Sequence, residues 1–154
     1  KGLNETINMW KNVVKLYPNM QFHIFGIKKI NNKKKLKKYN IYFHNRVSKD
    51  ILIKYYKKSL ASLCLGYDET FCLNAIESMS CGLPVISFKK TSLNDLIKNN
   101  VNGYKVDNFK QVYQKIVKIK NMTNKKRSIF INRTYSYSKK YYFKKIQLKW
   151  MKFI

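Results

Sequence analysis

Residues 67–85, YDETFCLNAIESMSCGLPV, join a buried strand to a helix and that helix to a second strand. The apolar run Leu60–Leu65 before them is typical of a strand buried on both faces. The pattern then predicts a helix from about Phe71 to Ser80. Gly82 ends this helix, because glycine readily adopts the left-handed conformation of a helix cap, and a strand over Pro84–Phe88 follows.

Short apolar runs and amphipathic segments alternate on both sides of this stretch. The predicted elements are helices over Gly2–Leu16, from Ser48, over Ser92–Lys98 and over Phe109–Ile119, and strands over Gln21–Ile27, Asn40–Val47 and Tyr104–Val106. The lysine–asparagine tract Lys28–Lys38 is predicted as a solvated loop. Such alternation predicts an α/β fold, a Rossmann-like three-layer α/β/α domain with a parallel sheet, which binds ligands at the carboxyl ends of its strands.

Two helices carry specific expectations about their faces. The helix from Ser48 is predicted to turn four residues toward the core: Ile51, Leu52, Tyr55 and Tyr56. A closing helix over Tyr141–Ile154 is predicted to place four others on one face: Tyr142, Ile146, Trp150 and Phe153. This closing helix is basic as well as aromatic, so packing against the domain is favoured and contact with an anionic membrane is a secondary role.

The charge of the chain is extreme, with a formal net value of +26 from 33 basic and 7 acidic residues. The only arginines are Arg46, Arg127 and Arg133. Proteins that read nucleic acid rely on the bidentate fork of arginine, so a specific nucleic-acid partner is not predicted. The positive electrostatic field of the chain would still attract anionic lipid headgroups and phosphorylated substrates.

The remaining composition favours a cytosolic domain and contains no metal-binding pattern. No apolar run approaches the length of a membrane span, and no signal segment opens the chain. Cys64, Cys72 and Cys81 are an odd set without metal-ligand spacing, which favours reduced thiols. His23 and His44 stand singly in strand-like segments, where a histidine is more often packed than a ligand.

Glutamate is rare in this chain, and two of its three glutamates flank the predicted helix start. The backbone N–H groups of Phe71, Cys72 and Leu73 would lie at a helix amino terminus, which binds anions such as a diphosphate. Glu69 would then accept hydrogen bonds from sugar hydroxyls, and Glu77 from the two hydroxyls of a ribose. Alternatively, Glu69 only favours the helix dipole and Glu77 is a solvated side chain. The spacing of the two glutamates alone supports both interpretations equally.

The stretch from Glu69 to Ile86 resembles the E-x7-E motif of glycosyltransferase family 4 and its surroundings. The matching residues are Glu69, Phe71, Cys72, Leu73, Glu77, Ser78, Met79, Ser80, Gly82, Pro84, Val85 and Ile86. Further matches are Lys1-Gly2, Phe25-Gly26, Phe43–Val47 and the turn Asn102-Gly103. In the family, the lysine of the first pair contacts the donor phosphates. The segment matching Phe25-Gly26 lies near the nucleotide, and the one matching Phe43–Val47 lies beside the base. Within the base-side segment, Asn45 replaces the family's glycine and Arg46 and Val47 follow it. Thr91-Ser92 replaces a common Gly-Gly, and Asp95 a glutamate.

This resemblance implies that the chain is the carboxyl-terminal, donor-binding half of a GT-B enzyme of polysaccharide biosynthesis, its amino-terminal acceptor domain missing. It implies a retaining sugar transfer from a UDP- or GDP-sugar to a glycan or lipid-linked acceptor, without a metal or other cofactor. Glu69 would be catalytic. Donor contacts would come from Lys1, Gly26, Asn45, Arg46, Val47, Phe71, Cys72, Leu73 and Glu77. The isolated half would be inactive, and the enzyme cytoplasmic or peripheral on the cytoplasmic face of a membrane.

Two other functions are weighed against this one. A basic nucleic-acid-binding module accounts for the charge and the tyrosines, although no RNP, KH or zinc-finger pattern is present. A donor domain that has lost catalysis and serves as a scaffold keeps the fold, but the intact Glu69 and Glu77 weigh against it.

Overall fold

A computed structural model describes residues 2–27, 36–66 and 72–142 of the chain. The helices are α1 (Leu3–Leu16), α2 (Lys49–Lys58), α3 (Leu73–Ser80), α4 (Phe109–Lys120) and α5 (Asn124–Ser138), with 3₁₀ turns at Ser92–Asn94 and Lys139–Tyr141. The strands are β1 (Phe22–Phe25), β2 (Ile41–His44), β3 (Ser62–Cys64), β4 (Val85–Phe88) and β5 (Gly103–Val106). Every hydrogen-bonded strand pair is parallel: β1 with β2, and β3–β4–β5 in that order.

Helices cover both faces of these strands, which confirms the predicted three-layer architecture. On one face, α1 packs on α4, and a shared core holds Trp10, Val13, Ile41, Ile86 and Ile116. Because Ile41 belongs to β2 and Ile86 to β4, this core joins the two sets of strands. On the other face, α3 places Ala75 and Met79 against β4, and α5 packs on α3.

Two of the predicted helical features are wrong, and one helix was not predicted. Ile51 was expected to face the core but is 43% exposed, and α2 contains no buried residue. The helix expected over Ser92–Lys98 is only a 3₁₀ turn, since the backbone beyond it bonds to a side chain instead of continuing a helix. Helix α5 was not predicted at all.

Helix α5 lacks an apolar stripe, which is why its sequence pattern does not reveal it. Its buried residues are Phe130, Thr134 and Ser138. The Thr134 hydroxyl donates to the Phe130 carbonyl at 2.8 Å, and the Ser138 hydroxyl donates to the Tyr135 carbonyl at 2.7 Å. Hydroxyls satisfied within the helix can be buried without an outside partner.

Asn102 organises the segment between β4 and β5. Its side chain is fully buried, and its Oδ1 accepts from the Lys98 N–H at 2.6 Å. Its Nδ2 donates to the Leu96 carbonyl at 2.9 Å and lies 3.2 Å from the Met79 sulfur of α3. Its own carbonyl accepts from the Val85 N–H at 3.1 Å. One asparagine therefore ties a loop, a helix and a strand together.

Gly103 follows directly and opens β5 opposite Val85. A Cβ at this position would overlap the Val85 carbonyl, so the two backbones meet where only glycine fits. The Asn-Gly pair predicted as a turn is thus a junction between two strands.

The two histidines, expected to stand singly, are a hydrogen-bonded pair. His23 Nδ1 lies 2.9 Å from His44 Nε2, across the β1–β2 register, and His23 Nε2 donates to Gln21 Oε1 at 3.1 Å. Neutral His23 then accepts at Nδ1 from the His44 Nε2–H. The ring of Tyr55 from α2 lies on both imidazoles, with centroid distances of 4.8 and 5.1 Å. Burial lowers the pKa of both histidines, and the neighbouring charge of His44 lowers the pKa of His23 further.

Asn102→Leu should destabilise the domain, because it leaves the Lys98 N–H and the Leu96 carbonyl buried without their partners. At about 1–3 kcal/mol for each orphaned group, we expect the free energy of unfolding in urea to fall by about 2–4 kcal/mol. Asn132→Leu, the same change at an exposed position of α5, is the control and should shift it by less than about 0.5 kcal/mol. Equal losses in the two variants would contradict the role of Asn102.

Acid should destabilise the domain through the histidine pair. Both folded-state pKa values lie below the unfolded value of 6.5, so the unfolded chain binds more protons as the pH falls through that value. We expect the melting temperature to fall from pH 7.5 to pH 5.5 at constant ionic strength. The doubly substituted His23→Gln/His44→Gln protein lacks all histidines and should show a flatter profile over this window. Parallel profiles for the two proteins would refute this origin of the acid sensitivity.

Candidate functional site

The carboxyl ends of β1 and β2 form one side of the predicted crevice. Gly26 follows β1 with a φ of 82°, a left-handed conformation that favours glycine, and its N–H donates to the His44 carbonyl at 3.1 Å. Among the described residues, a Cβ on Gly26 would meet no atom within 4 Å. The structure thus brings Gly26 beside the segment that follows His44.

Asn45, Arg46 and Val47 form that segment, between β2 and the Ser48 cap of α2. Asn45 and Arg46 are exposed and Val47 is half-buried. The Ser48 hydroxyl accepts from the Ile51 N–H, as predicted for a helix cap. The His44 ring stacks on Phe25 at 4.6 Å between centroids, which fixes the two turns relative to each other.

The other side of the crevice is the amino terminus of α3. Cys72 is the N-cap residue and is buried, and its thiol donates to the Cys64 sulfur at the end of β3 over 3.6 Å. The helix begins at Leu73, two residues later than predicted, so its first-turn amides start at Leu73. The Ala75 N–H is already bonded to the Cys72 carbonyl. Leu73 itself is 63% exposed, so the first residue of this helix lies at the surface.

Glu77 lies one turn further along α3 and is exposed. A carboxylate beside Ala75 and Ile76 is therefore not costly here, because the side chain is solvated. Burial raises the pKa of Tyr56 in α2, and the negative charge of Glu77 raises that pKa further. Burial likewise raises the pKa of Cys81, where Lys57 acts in the opposite direction and Glu77 adds to the increase. The carboxylate is therefore close enough to Tyr56 and Cys81 to influence both groups.

Several predicted site residues lie outside the described part of the chain. Lys1, Glu69 and Phe71 are among them, and so are Asp68 and Thr70 of the same loop. The residues Ile146, Trp150 and Phe153 of the predicted closing helix also lie outside it. Their assignments remain predictions.

Tyr56 is a neighbour of Glu77 that the sequence did not assign to the site. It was expected only on the inner face of α2. Its signal was positional, since α2 follows the base-side segment Phe43–Val47.

Residues 2–27, 36–66 and 72–142 show neither a metal cluster nor a membrane-spanning helix. Within these ranges no three histidine, cysteine, aspartate or glutamate side chains could together hold a metal ion. Cys64, Cys72 and Cys81 are reduced thiols, in agreement with the prediction. No helix in these ranges has the length and apolar character needed to cross a membrane.

The chain is similar to structures of known glycosyltransferases. The pneumococcal O-GlcNAc transferase GtfA, solved in complex with UDP and GlcNAc, matches 97% of this chain and 32% of its own at 20% identity, with a TM-score of 0.79. The C-terminal domain of a glycosyl transferase group 1 family protein (LpcC) from Francisella tularensis matches 93% and 80% at 22% identity, with a TM-score of 0.75. WaaG, a glycosyltransferase involved in lipopolysaccharide biosynthesis, matches 90% and 39% at 18% identity, with a TM-score of 0.73.

These matches identify the fold as the Rossmann-like domain of GT-B glycosyltransferases, and the chain spans about a third of the length of the GtfA structure. No curated protein matches the sequence. The family model of the glycosyl transferases group 1 matches residues 1–137. Because this match covers most of its length, the chain belongs to the glycosyl transferases group 1 family.

Proposed function

We propose that this chain is the donor-binding, carboxyl-terminal half of a retaining glycosyltransferase of family 4, which takes a nucleotide-diphosphate sugar such as a UDP- or GDP-sugar. The observation that carries the proposal is the position of Glu77. It is an exposed carboxylate one turn into a helix whose first residue, Leu73, is also exposed, in register with the second glutamate of the E-x7-E motif.

The crevice offers a distinct group for each part of such a donor. The first-turn amides of α3, beginning at Leu73, suit the diphosphate, because a helix amino terminus favours negative charge. Glu77 would accept hydrogen bonds donated by the two ribose hydroxyls. The turn at Gly26 and the segment Asn45–Val47 would receive the base, and Lys1 would add a positive charge beside the phosphates.

Glu69 is the catalytic residue in this proposal. It would accept hydrogen bonds from the hydroxyls of the transferred sugar and hold the reacting carbon toward the acceptor. The acceptor, a glycan or a lipid-linked glycan, would be bound by a preceding amino-terminal domain. No metal or other cofactor is required, because the helix amino terminus and the cationic surface supply the charge that stabilises the diphosphate leaving group.

A cytoplasmic setting beside a membrane completes the proposal. The net charge of +26 is unfavourable to a compact domain unless anions are near, and an anionic membrane surface supplies them. The same field raises the local concentration of an anionic donor.

Nucleotide binding tests the proposal directly. We expect the 154-residue chain to bind UDP, GDP or their sugars in titration calorimetry at moderate salt, with an affinity that raised salt does not abolish. Glu77→Gln should weaken binding by roughly ten- to a hundredfold, as expected for a lost hydrogen bond to a charged group. Its melting temperature without ligand should stay nearly unchanged, because Glu77 is exposed.

Asp107→Asn removes the same charge at the far edge of the sheet, after β5, and is the matched control. It should leave nucleotide affinity within about twofold, since exposed charges at that distance are largely screened. If no nucleotide binds, or if Glu77→Gln unfolds the empty domain and binds normally when folded, the proposal fails.

The catalytic assignment needs the chain joined to its acceptor-binding half. In that enzyme Glu69→Ala should lower kcat by about a hundredfold or more, the usual effect of removing a group that stabilises a transition state, while UDP binds nearly as before. The chain alone should transfer no sugar. Turnover of the variant equal to that of the parent enzyme would remove Glu69 from the reaction.

A further inference from the structure

A second concave site lies at the opposite edge of the strands from the donor crevice. It is a cavity of about 260 Å³ between α4, α5 and the turn that precedes β5. The turn contributes Asn100, three residues before β5 begins. Because all strand pairs are parallel, the amino end of β5 and the carboxyl ends that border the donor crevice lie at opposite edges.

Three cations converge on this cavity from two helices. They are Lys118 of α4 and Lys126 and Arg133 of α5. No acidic residue is among the residues that line it, and no aspartate or glutamate follows Asp107 in the sequence. The cations therefore repel one another without a carboxylate of the described chain to compensate them, and an anion in the cavity would relieve that repulsion.

The cavity is organised as well as charged. Lys118 Nζ donates to Asn100 Oδ1 at 3.3 Å and lies 5.3 Å from the centre of the Tyr104 ring. These two contacts reduce the freedom that Lys118 would lose on binding a ligand. Tyr104 and Phe130, which are 2% and 5% exposed, form an apolar floor. Cations above an apolar floor are less well solvated than on an open surface, so their attraction for an anion is stronger.

We propose that this cavity binds a phosphate group. A tetrahedral phosphate presents several acceptor oxygens, which suits donors arriving from separate helices, and the guanidinium of Arg133 can bind two of those oxygens. The group can belong to a soluble phosphorylated molecule or to the headgroup of an anionic lipid. The inference does not depend on donor binding, since none of these residues borders the donor crevice.

Inorganic phosphate is the first probe. It is added to the isotopically labelled 154-residue chain, and binding is followed through the amide resonances of the chain. The ionic strength is kept at about 0.15 M, where surface charges are screened beyond roughly 8 Å. We expect shifts concentrated at residues 98–104, 118–126 and 129–133. Lys118→Gln/Arg133→Gln should weaken phosphate binding by about tenfold or more. Lys54→Gln/Lys110→Gln removes the same charge at exposed positions elsewhere and should change it by less than about twofold.

Vesicles distinguish the two sources of the phosphate group. Flotation with phosphatidylcholine vesicles, with and without phosphatidic acid, is compared for the same two variants. If the cavity variant alone loses binding to the acidic vesicles, the headgroup is the source. If both variants bind vesicles equally but only the cavity variant loses inorganic phosphate, the source is soluble.

Equal weakening of phosphate binding in the two variants would overturn the proposal, and so would shifts spread evenly over the lysine surface. Both variants should keep the melting temperature of the parent chain, because all four positions are exposed. The cavity variant should also keep its UDP affinity, because the cavity lies away from the donor crevice. A failure of phosphate binding with UDP affinity intact would therefore reject the cavity site and leave the donor site standing.

Discussion

The contact between Gly103 and Val85 is the constraint on which the rest of the domain depends. It brings the backbone of β5 against that of β4, and Asn102 beside it bonds to Lys98 and Leu96. The Nδ2 of Asn102 also reaches the Met79 sulfur, so the junction holds α3 as well as the sheet. Glu77 lies on the opposite side of α3 from Met79. The packing of Asn102 and Gly103 at the amino ends of the strands therefore also sets the position of Glu77. Buried polar groups that are fully satisfied specify such positions better than apolar contacts do.

Charge imposes a second constraint, which acts on the surface and not on the core. With so few carboxylates, most lysines have no anionic partner, and the described chain contains one ion pair, Lys89 with Asp107 at 2.8 Å. Hydrogen bonding to Lys89 holds the pKa of Asp107 below its usual value. Other lysines lie over aromatic rings instead, as Lys11 and Lys38 do over Tyr39. Rings can attract cations without reducing the net charge, so the domain retains the field that draws phosphorylated molecules to it.

The sequence predicted the parts of this fold in which apolar spacing determines structure. All five strands, α1, α2, α3 and α4 were located, because each has a core-facing pattern or a clear cap. Helix α5 was not predicted, because Thr134 and Ser138 take the place of apolar residues on its buried stripe. The sequence nevertheless contains a residue suited to cap this helix, Thr123, whose hydroxyl accepts from the Lys126 N–H. The pairing of His23 with His44 could not be predicted from either residue alone, because it arises from the β1–β2 register.

The candidate site residues of α3 were predictable for a related reason. This helix buries its structural residues and exposes those that are expected to face a ligand. Ala75, Ser78 and Met79 are buried, and the Ser78 carbonyl accepts from the N–H groups of Cys81 and Leu83 in the cap that Gly82 closes with a φ of 78°. Leu73 and Glu77 lie on the exposed side of the same eight residues. Folding therefore places no demand on the identity of residue 77, and a carboxylate there, in a chain that otherwise solvates itself with lysine, requires a reason outside the fold. In the proposed function, a ligand whose hydroxyls donate to that carboxylate provides the reason.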